Sequence, residues 1–176
     1  MTTSLFNLSV PTYLQTVRSI GACLDKAVVH CSEVGIDPDE FVEARLVSDM
    51  APFWFQIECL DNYSVWGLDA IRHSTFNPPD LVVVTPFSEL QSRIAKTEAA
   101  LAEFKPDEVN AWPGKKLDMH IHTDPQTSAF TSETYLMSFL LPNFNFHAVT
   151  AYDILRTRGV PIGKSDFEGQ LRVSPR

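Results

Sequence analysis

Between Val10 and Val34 the apolar residues Leu14, Val17, Ile20, Leu24, Ala27, Val28 and Cys31 recur at helical spacing. Pro11 stands in the first turn, where its missing N–H costs nothing, and Gly35 follows as a stop. A rod of about seven turns with one apolar stripe must bury that stripe against other helices to be stable. This one segment therefore directs the chain towards helix-on-helix packing.

The rest of the chain supplies the partners. A second long helix is expected from about Asp49 to Arg72, with Pro52 in its first turn and an aromatic content of Phe53, Trp54, Phe55, Tyr63 and Trp66. Before it, Asp37-Pro38-Asp39-Glu40 opens a short helical turn reaching Ala44. A third helix begins with Thr85 as N-cap and Pro86 as first residue, and ends near Phe104 on the stripe Leu90, Ile94, Thr97, Leu101. Asn77-Pro78-Pro79 is a non-helical linker, and Leu81–Val84 is an apolar segment laid on the helices or a short strand. Lys105 to Gly114 reads as irregular. Leu117 to His122 alternates with period two and reads as a strand, with Asp124 to Thr127 as a turn and Ser128-Ala129-Phe130 as the returning strand. The fourth helix starts after Thr131, is kinked by Pro142 and ends at Gly159. The expected architecture is all-α: one antiparallel four-helix bundle over 1–176, with a small β-hairpin between helices 3 and 4.

Composition narrows the function classes. A net charge of −8 argues against nucleic acid, whose binding rests on basic residues meeting phosphates. Lys115-Lys116 is too small a basic patch for a membrane surface, and no apolar run reaches the length of a membrane span. The N-terminus lacks the pattern of a signal peptide. Cys23, Cys31 and Cys59 are odd in number and outside metal spacing, so buried free thiols in a cytoplasmic protein are expected.

The chemistry-bearing candidate is His147. Asn143, His147 and Thr150 share one helix face, and Phe144, Phe146, Tyr152, Ile154 and Leu155 around them imply burial. A buried imidazole can be a satisfied structural group, a proton-transferring group or a metal ligand. Tyr13, in the first turn of the first helix, can donate a hydrogen bond at a cavity mouth. His120 and His122 share a strand face with Asp118, where polar residues simply meet water. Gly163-Lys164-Ser165 lacks the glycine and strand context of a phosphate loop, and Lys164 and Asp166 read as local ion pairs.

The strings Leu141-Pro142-Asn143-Phe144-Asn145-Phe146-His147, Thr150 to Arg156 and Ile162 to Phe167 resemble the signature of the DUF1993 family, with supporting matches at Val10-Pro11, Leu24 to Ala27, Asp49-Met50, Gln56 and Leu90 to Thr97. That family is similar to DinB/YfiT-like four-helix bundles, which often carry a divalent metal on three histidines, two of them one turn apart on the last helix. Here the positions one turn before and after His147 are Asn143 and Ala151, so the resemblance does not extend to the metal, and no cofactor is expected. Where the family commonly shows small and basic residues, this chain has Trp54, Tyr63 and Trp66. This implies either an aromatic-lined cavity between the helices, holding a hydrophobic small molecule with Thr150 at its wall, or aromatics that fill a core or a dimer interface. The resemblance also implies a tail that folds back over the bundle.

The first functional expectation is a metal-independent isomerase, cyclase or dehydratase. In it His147 is the acid or base, while Asn143 and Gln56 orient the substrate and Tyr13 assists. The second is a non-catalytic binding or carrier bundle using the same cavity, in which His147 is only structural, and the third a metal-dependent DinB-like transferase. A homodimer through exposed aromatics of the second helix is expected in each case.

Overall fold

The computed structural model describes residues 3–75, 80, 86–120 and 127–173. A short α1 (Leu5–Leu8) precedes α2 (Val10–Val34), whose bounds are those the apolar stripe predicts. Gly35 ends α2 with φ 73°, a left-handed conformation that favours glycine.

The second rod starts later than expected. Pro52 caps it rather than entering it, so α3 runs Phe53–Asp61. A wide π-helical turn, Asn62–Trp66, then leads into α4 (Gly67–His73). The third rod is α5 (Phe87–Glu103), with Pro86 at the cap. Its first N–H, on Phe87, donates to Asp39 at 2.6 Å, so the acidic turn Pro38–Phe41 secures a helix start from 48 residues away. Thr85, Asn77-Pro78-Pro79 and Leu81–Val84 lie outside the described residues, as do His122 and the Asp124–Gln126 part of the turn. The stretch expected to be irregular contains one helical turn, α6 (Pro106–Val109). Lys116–His120 pairs antiparallel with Thr127–Thr131 in the register Leu117 to Phe130, which is the expected hairpin.

The fourth rod is interrupted as well. After α7 (Ser132–Tyr135) comes a second π-helical turn, Leu136–Leu140, and only then α8 (Leu141–Thr157). Pro142 therefore sits in the first turn of a new helical segment, and the wide turn before it spares the hydrogen bond that proline would break.

α2 packs on α5 and α8, and α3 packs on α5 and α8, which closes the ring of an all-α bundle. Val17, Ile20, Leu24, Leu60, Leu90, Leu101, Phe144 and Ile154 meet inside it, each fully buried. Each such side chain contributes about 1.5–3 kcal/mol by leaving water. α9 (Lys164–Glu168) folds back onto α2. Gln15 Nε2 donates to the Glu168 carbonyl at 2.8 Å, and Asp166 pairs with Lys26 of α2 rather than locally. Lys164 does pair locally, with Glu168 at 3.0 Å. Among the described residues no helix is long and apolar enough to cross a membrane.

The two wide turns meet. A Cβ added to Gly67 would lie 2.5 Å from Leu140 Cδ2 and 3.2 Å from its Cγ, and Leu140 is fully buried. Gly67→Ala is therefore expected to lower stability by about 1–3 kcal/mol, despite alanine's better helix propensity. Urea unfolding of the variant would read this, and an unchanged midpoint would show that Leu140 yields freely.

Candidate functional site

On the α8 face of the second rod, the side chains of Gln56 and His147 meet. His147 Nδ1 lies 2.8 Å from Gln56 Oε1, across 91 residues of sequence. The amide cannot turn over, because Gln56 Nε2 donates to the Ala51 carbonyl at 2.9 Å. Its oxygen therefore faces the imidazole, so Nδ1 carries the proton and donates. That assignment leaves Nε2 as the nitrogen with a free lone pair.

Aromatic rings surround the imidazole. Tyr63, from the first wide turn, stacks parallel to it with centroids 5.4 Å apart, while Phe146 stands edge-on at 5.3 Å and Phe55 tilts against it at 5.9 Å. With only 8% of its surface exposed and no charge among these neighbours, burial pushes the imidazole down to about 4. The ring is neutral at ordinary pH, and its edge-on neighbour Phe146 is 55% exposed.

The other expected site residues divide. Asn143 is half-buried and Thr150 buried, yet both turn back on their own helix: Asn143 Nδ2 donates to the Phe139 carbonyl and Thr150 Oγ1 to that of Phe146, each at 2.7 Å. Neither is brought to the imidazole nitrogens. Tyr13 is fully buried inside the bundle, edge-on to Phe144 at 4.7 Å, and so is not at a cavity mouth. Trp54 packs edge-on against Phe55 at 5.8 Å and joins the His147 cluster through it. Trp66 sits beside the Asp61 carboxyl instead. Tyr135 was not singled out by the sequence; it is fully buried and stacks on Phe139, which in turn meets Tyr63.

The opposite side of α3 carries charge. Glu58, almost buried, receives Arg93 Nε at 2.7 Å, and Asp61 accepts from Thr97 Oγ1 at 2.8 Å. Burial raises both carboxyls above the ordinary range, with Arg93 pulling each back. All three thiols are buried and free, and burial pushes Cys23 up to about 11 and Cys59 up to about 12, far from a reactive thiolate.

A three-ligand metal site does not fit this donor set. His147 Nδ1 is engaged by Gln56, the Asn143 amide is turned towards Phe139, and Ala151 offers no donor. Among the described residues no three His, Cys, Asp or Glu side chains converge; the side chains of His120 and His122 are not among them. A surface groove of about 570 Å³ lies elsewhere, between α2 and α5. Its polar rim is mutually satisfied, with Arg18 on Glu98 at 2.6 Å and Gln91 on Asp25 at 2.7 Å, so His147 is the stronger candidate.

No curated protein matches the chain. A crystal structure of a DinB family member protein from Shewanella denitrificans shares its fold, with a TM-score of 0.82 and 24% identity over 98% of this chain and 96% of that one. The family described as Domain of unknown function (DUF1993) matches residues 5–168. A helical bundle of this plan, with a family match along almost all of its length, places the chain in the DUF1993 family.

Proposed function

We propose that this protein is a cofactor-independent enzyme of the isomerase, cyclase or lyase kind, acting on an apolar small molecule bound against the aromatic cluster. The observation that carries this reading is the fixed tautomer of His147. Gln56 holds the proton on Nδ1, and Nε2 is left as an acceptor among Tyr63, Phe55 and Phe146.

A neutral imidazole in an apolar surround is a weak base towards water and a better one towards an acidic C–H of a bound ligand. Moving the proton from carbon to Nε2 leaves an imidazolium beside the carbanion or enolate. Each charge then offsets the other's loss of hydration. Return of the proton to a second carbon completes an isomerisation. Gln56 is a positioning residue in this scheme, since its oxygen accepts Nδ1–H throughout. The rings supply apolar contact and orientation, which lower the barrier by holding a reactive geometry.

The test is hydrogen–deuterium exchange at carbon. A panel of apolar ketones and enones is incubated with the protein in D2O and followed by NMR. Exchange above background with at least one compound, lost in His147→Gln, is the expected result. Exchange that persists undiminished in His147→Gln would sink the reading.

The tautomer makes its own prediction. In Gln56→Glu a carboxylate replaces the amide oxygen against Nδ1–H, and an opposite charge at that distance raises an imidazole by about 1–3 units. His147 is therefore expected to titrate well above 4, near its ordinary range, in a ring-proton NMR titration. An unmoved titration would place the glutamate away from the imidazole.

The proposed location is the cytoplasm, supported by the three buried free thiols. The proposed assembly is a homodimer. The second-rod aromatics Trp54, Phe55, Tyr63 and Trp66 are only half-buried, whereas Met137 at 52%, Phe146 at 55% and Val149 at 44% are more exposed. No charged residue occurs between Glu133 and Asp153, so the fourth rod offers a face on which two chains of net charge −8 meet with least repulsion.

A further inference from the structure

The groove between α2 and α5, about 570 Å³ in volume, falls within the range of small-molecule sites. A polar bridge closes each of its ends. Arg18 Nε donates to Glu98 Oε1 at 2.6 Å, and Gln91 Nε2 donates to Asp25 Oδ1 at 2.7 Å. Residue 18 thus meets 98 while 25 meets 91, so the two helices run antiparallel. The bridges stand two turns apart on each helix, about 10 Å along the axis.

Between the bridges the helices present almost no side chain. Gly21, Ala22 and Ala95 line the groove, and Ile94, only 3% exposed, forms its floor. A Cβ on Gly21 would lie 3.2 Å from Ile94 Cγ2, so the glycine lets α2 come close to α5 and keeps the floor bare. Ala22 and Ala95 are exposed, and neither is long enough to cover the apolar strip between them.

The two ends differ in charge. Glu98 is neutralised by Arg18, whereas Asp25 has only the uncharged Gln91. Among the described residues no lysine, arginine or histidine pairs with Asp25. Lys26, its neighbour in sequence, is drawn away to Asp166 of α9. The Gln91 amide engages one oxygen of the Asp25 carboxylate, which is exposed at the end of the groove.

We propose that this groove binds a primary alkylammonium. Its ammonium donates to Asp25, and its chain lies over Gly21, Ala22, Ile94 and Ala95. A chain of about six carbons fits the length between the bridges. At the far end the Arg18 guanidinium repels a second cation, so a monoamine is favoured over a diamine of the same length. A carboxylate of that length meets Arg18 only beside Glu98 and is the poorer ligand. The net charge of −8 draws cations rather than anions to the surface. The site does not depend on the role given to His147.

Backbone-amide NMR of the whole chain, titrated separately with hexylammonium, hexamethylenediammonium and hexanoate, tests the proposal. Hexylammonium is expected to move the amides of Gly21, Ala22 and Ala95 saturably, and the other two compounds to bind more weakly. Asp25→Asn removes the charge pair and lowers the affinity for hexylammonium by about fivefold. Ala22→Leu and Ala95→Leu place a side chain in the groove from exposed helical positions, so each keeps the wild-type Tm and abolishes the shifts. The absence of saturable shifts, hexanoate binding as well as hexylammonium, or undiminished binding in both leucine variants overturns the proposal. Shifts of the same amides on concentrating the protein alone would place a second copy in the groove and overturn it too.

Discussion

Arg93→Leu is expected to lower stability by about 3 kcal/mol near pH 8 and by much less near pH 5. Arg93 meets Glu58 at 2.7 Å, and the carboxylate is 7% exposed while the guanidinium is 36% exposed. Breaking a fully buried pair costs about 3–5 kcal/mol; partial solvation of the arginine puts this case at the lower end. Burial already raises the Glu58 carboxyl above its ordinary 4.5, with Arg93 opposing through its charge and its hydrogen bond.

Without the arginine only the raising influences remain, so the folded-state value climbs further. Between the unfolded and folded values the native state binds more protons, and stability therefore falls as pH rises through that window. The variant should regain stability on acidification as Glu58 becomes neutral. Urea unfolding at the two pH values reads this directly. An equal loss at both would show that Glu58 is not carrying an uncompensated charge. Glu58→Leu together with Arg93→Leu is expected near the wild type, since removing both partners leaves nothing stranded.

The second large effect comes from His147 and has the opposite pH sense. Its folded value is about 4 against an ordinary 6.5, because burial disfavours the imidazolium. Between those values the unfolded chain binds the proton and the folded chain does not. Stability is thus complete above about 6.5 and is lost as pH falls towards 4, by about 3 kcal/mol in all. Glu133 and Asp166, whose carboxyls are held low, also lose stability in acid, while Glu58 and Asp61 gain it. The quantity to measure is therefore the difference between the wild type and a His147→Leu/Gln56→Leu pair, which leaves no stranded amide oxygen. That difference should shrink steadily from about pH 7 to about pH 4. A flat difference would mean that the imidazole is hydrated in the folded state, and the argument for a neutral Nε2 would fail with it.

The periodic stripe from Val10 to about Val34, with Pro11 and Gly35 at its ends, determined α2, because helix formation and termination depend on neighbours a few positions apart. The same local rules placed α5, the hairpin and the four-rod plan, and the polar residues on an apolar helix singled out His147. They could not reveal the wide turns Asn62–Trp66 and Leu136–Leu140, since the extra residue that widens a turn leaves no periodic or compositional mark. Nor could they show that Gln56 fixes the His147 tautomer, or that Asn143 and Thr150 turn back on their own helix. Those facts follow from how the rods are set against one another. That setting is decided by packing across distances of up to the 91 residues that separate Gln56 from His147, where sequence spacing carries no information.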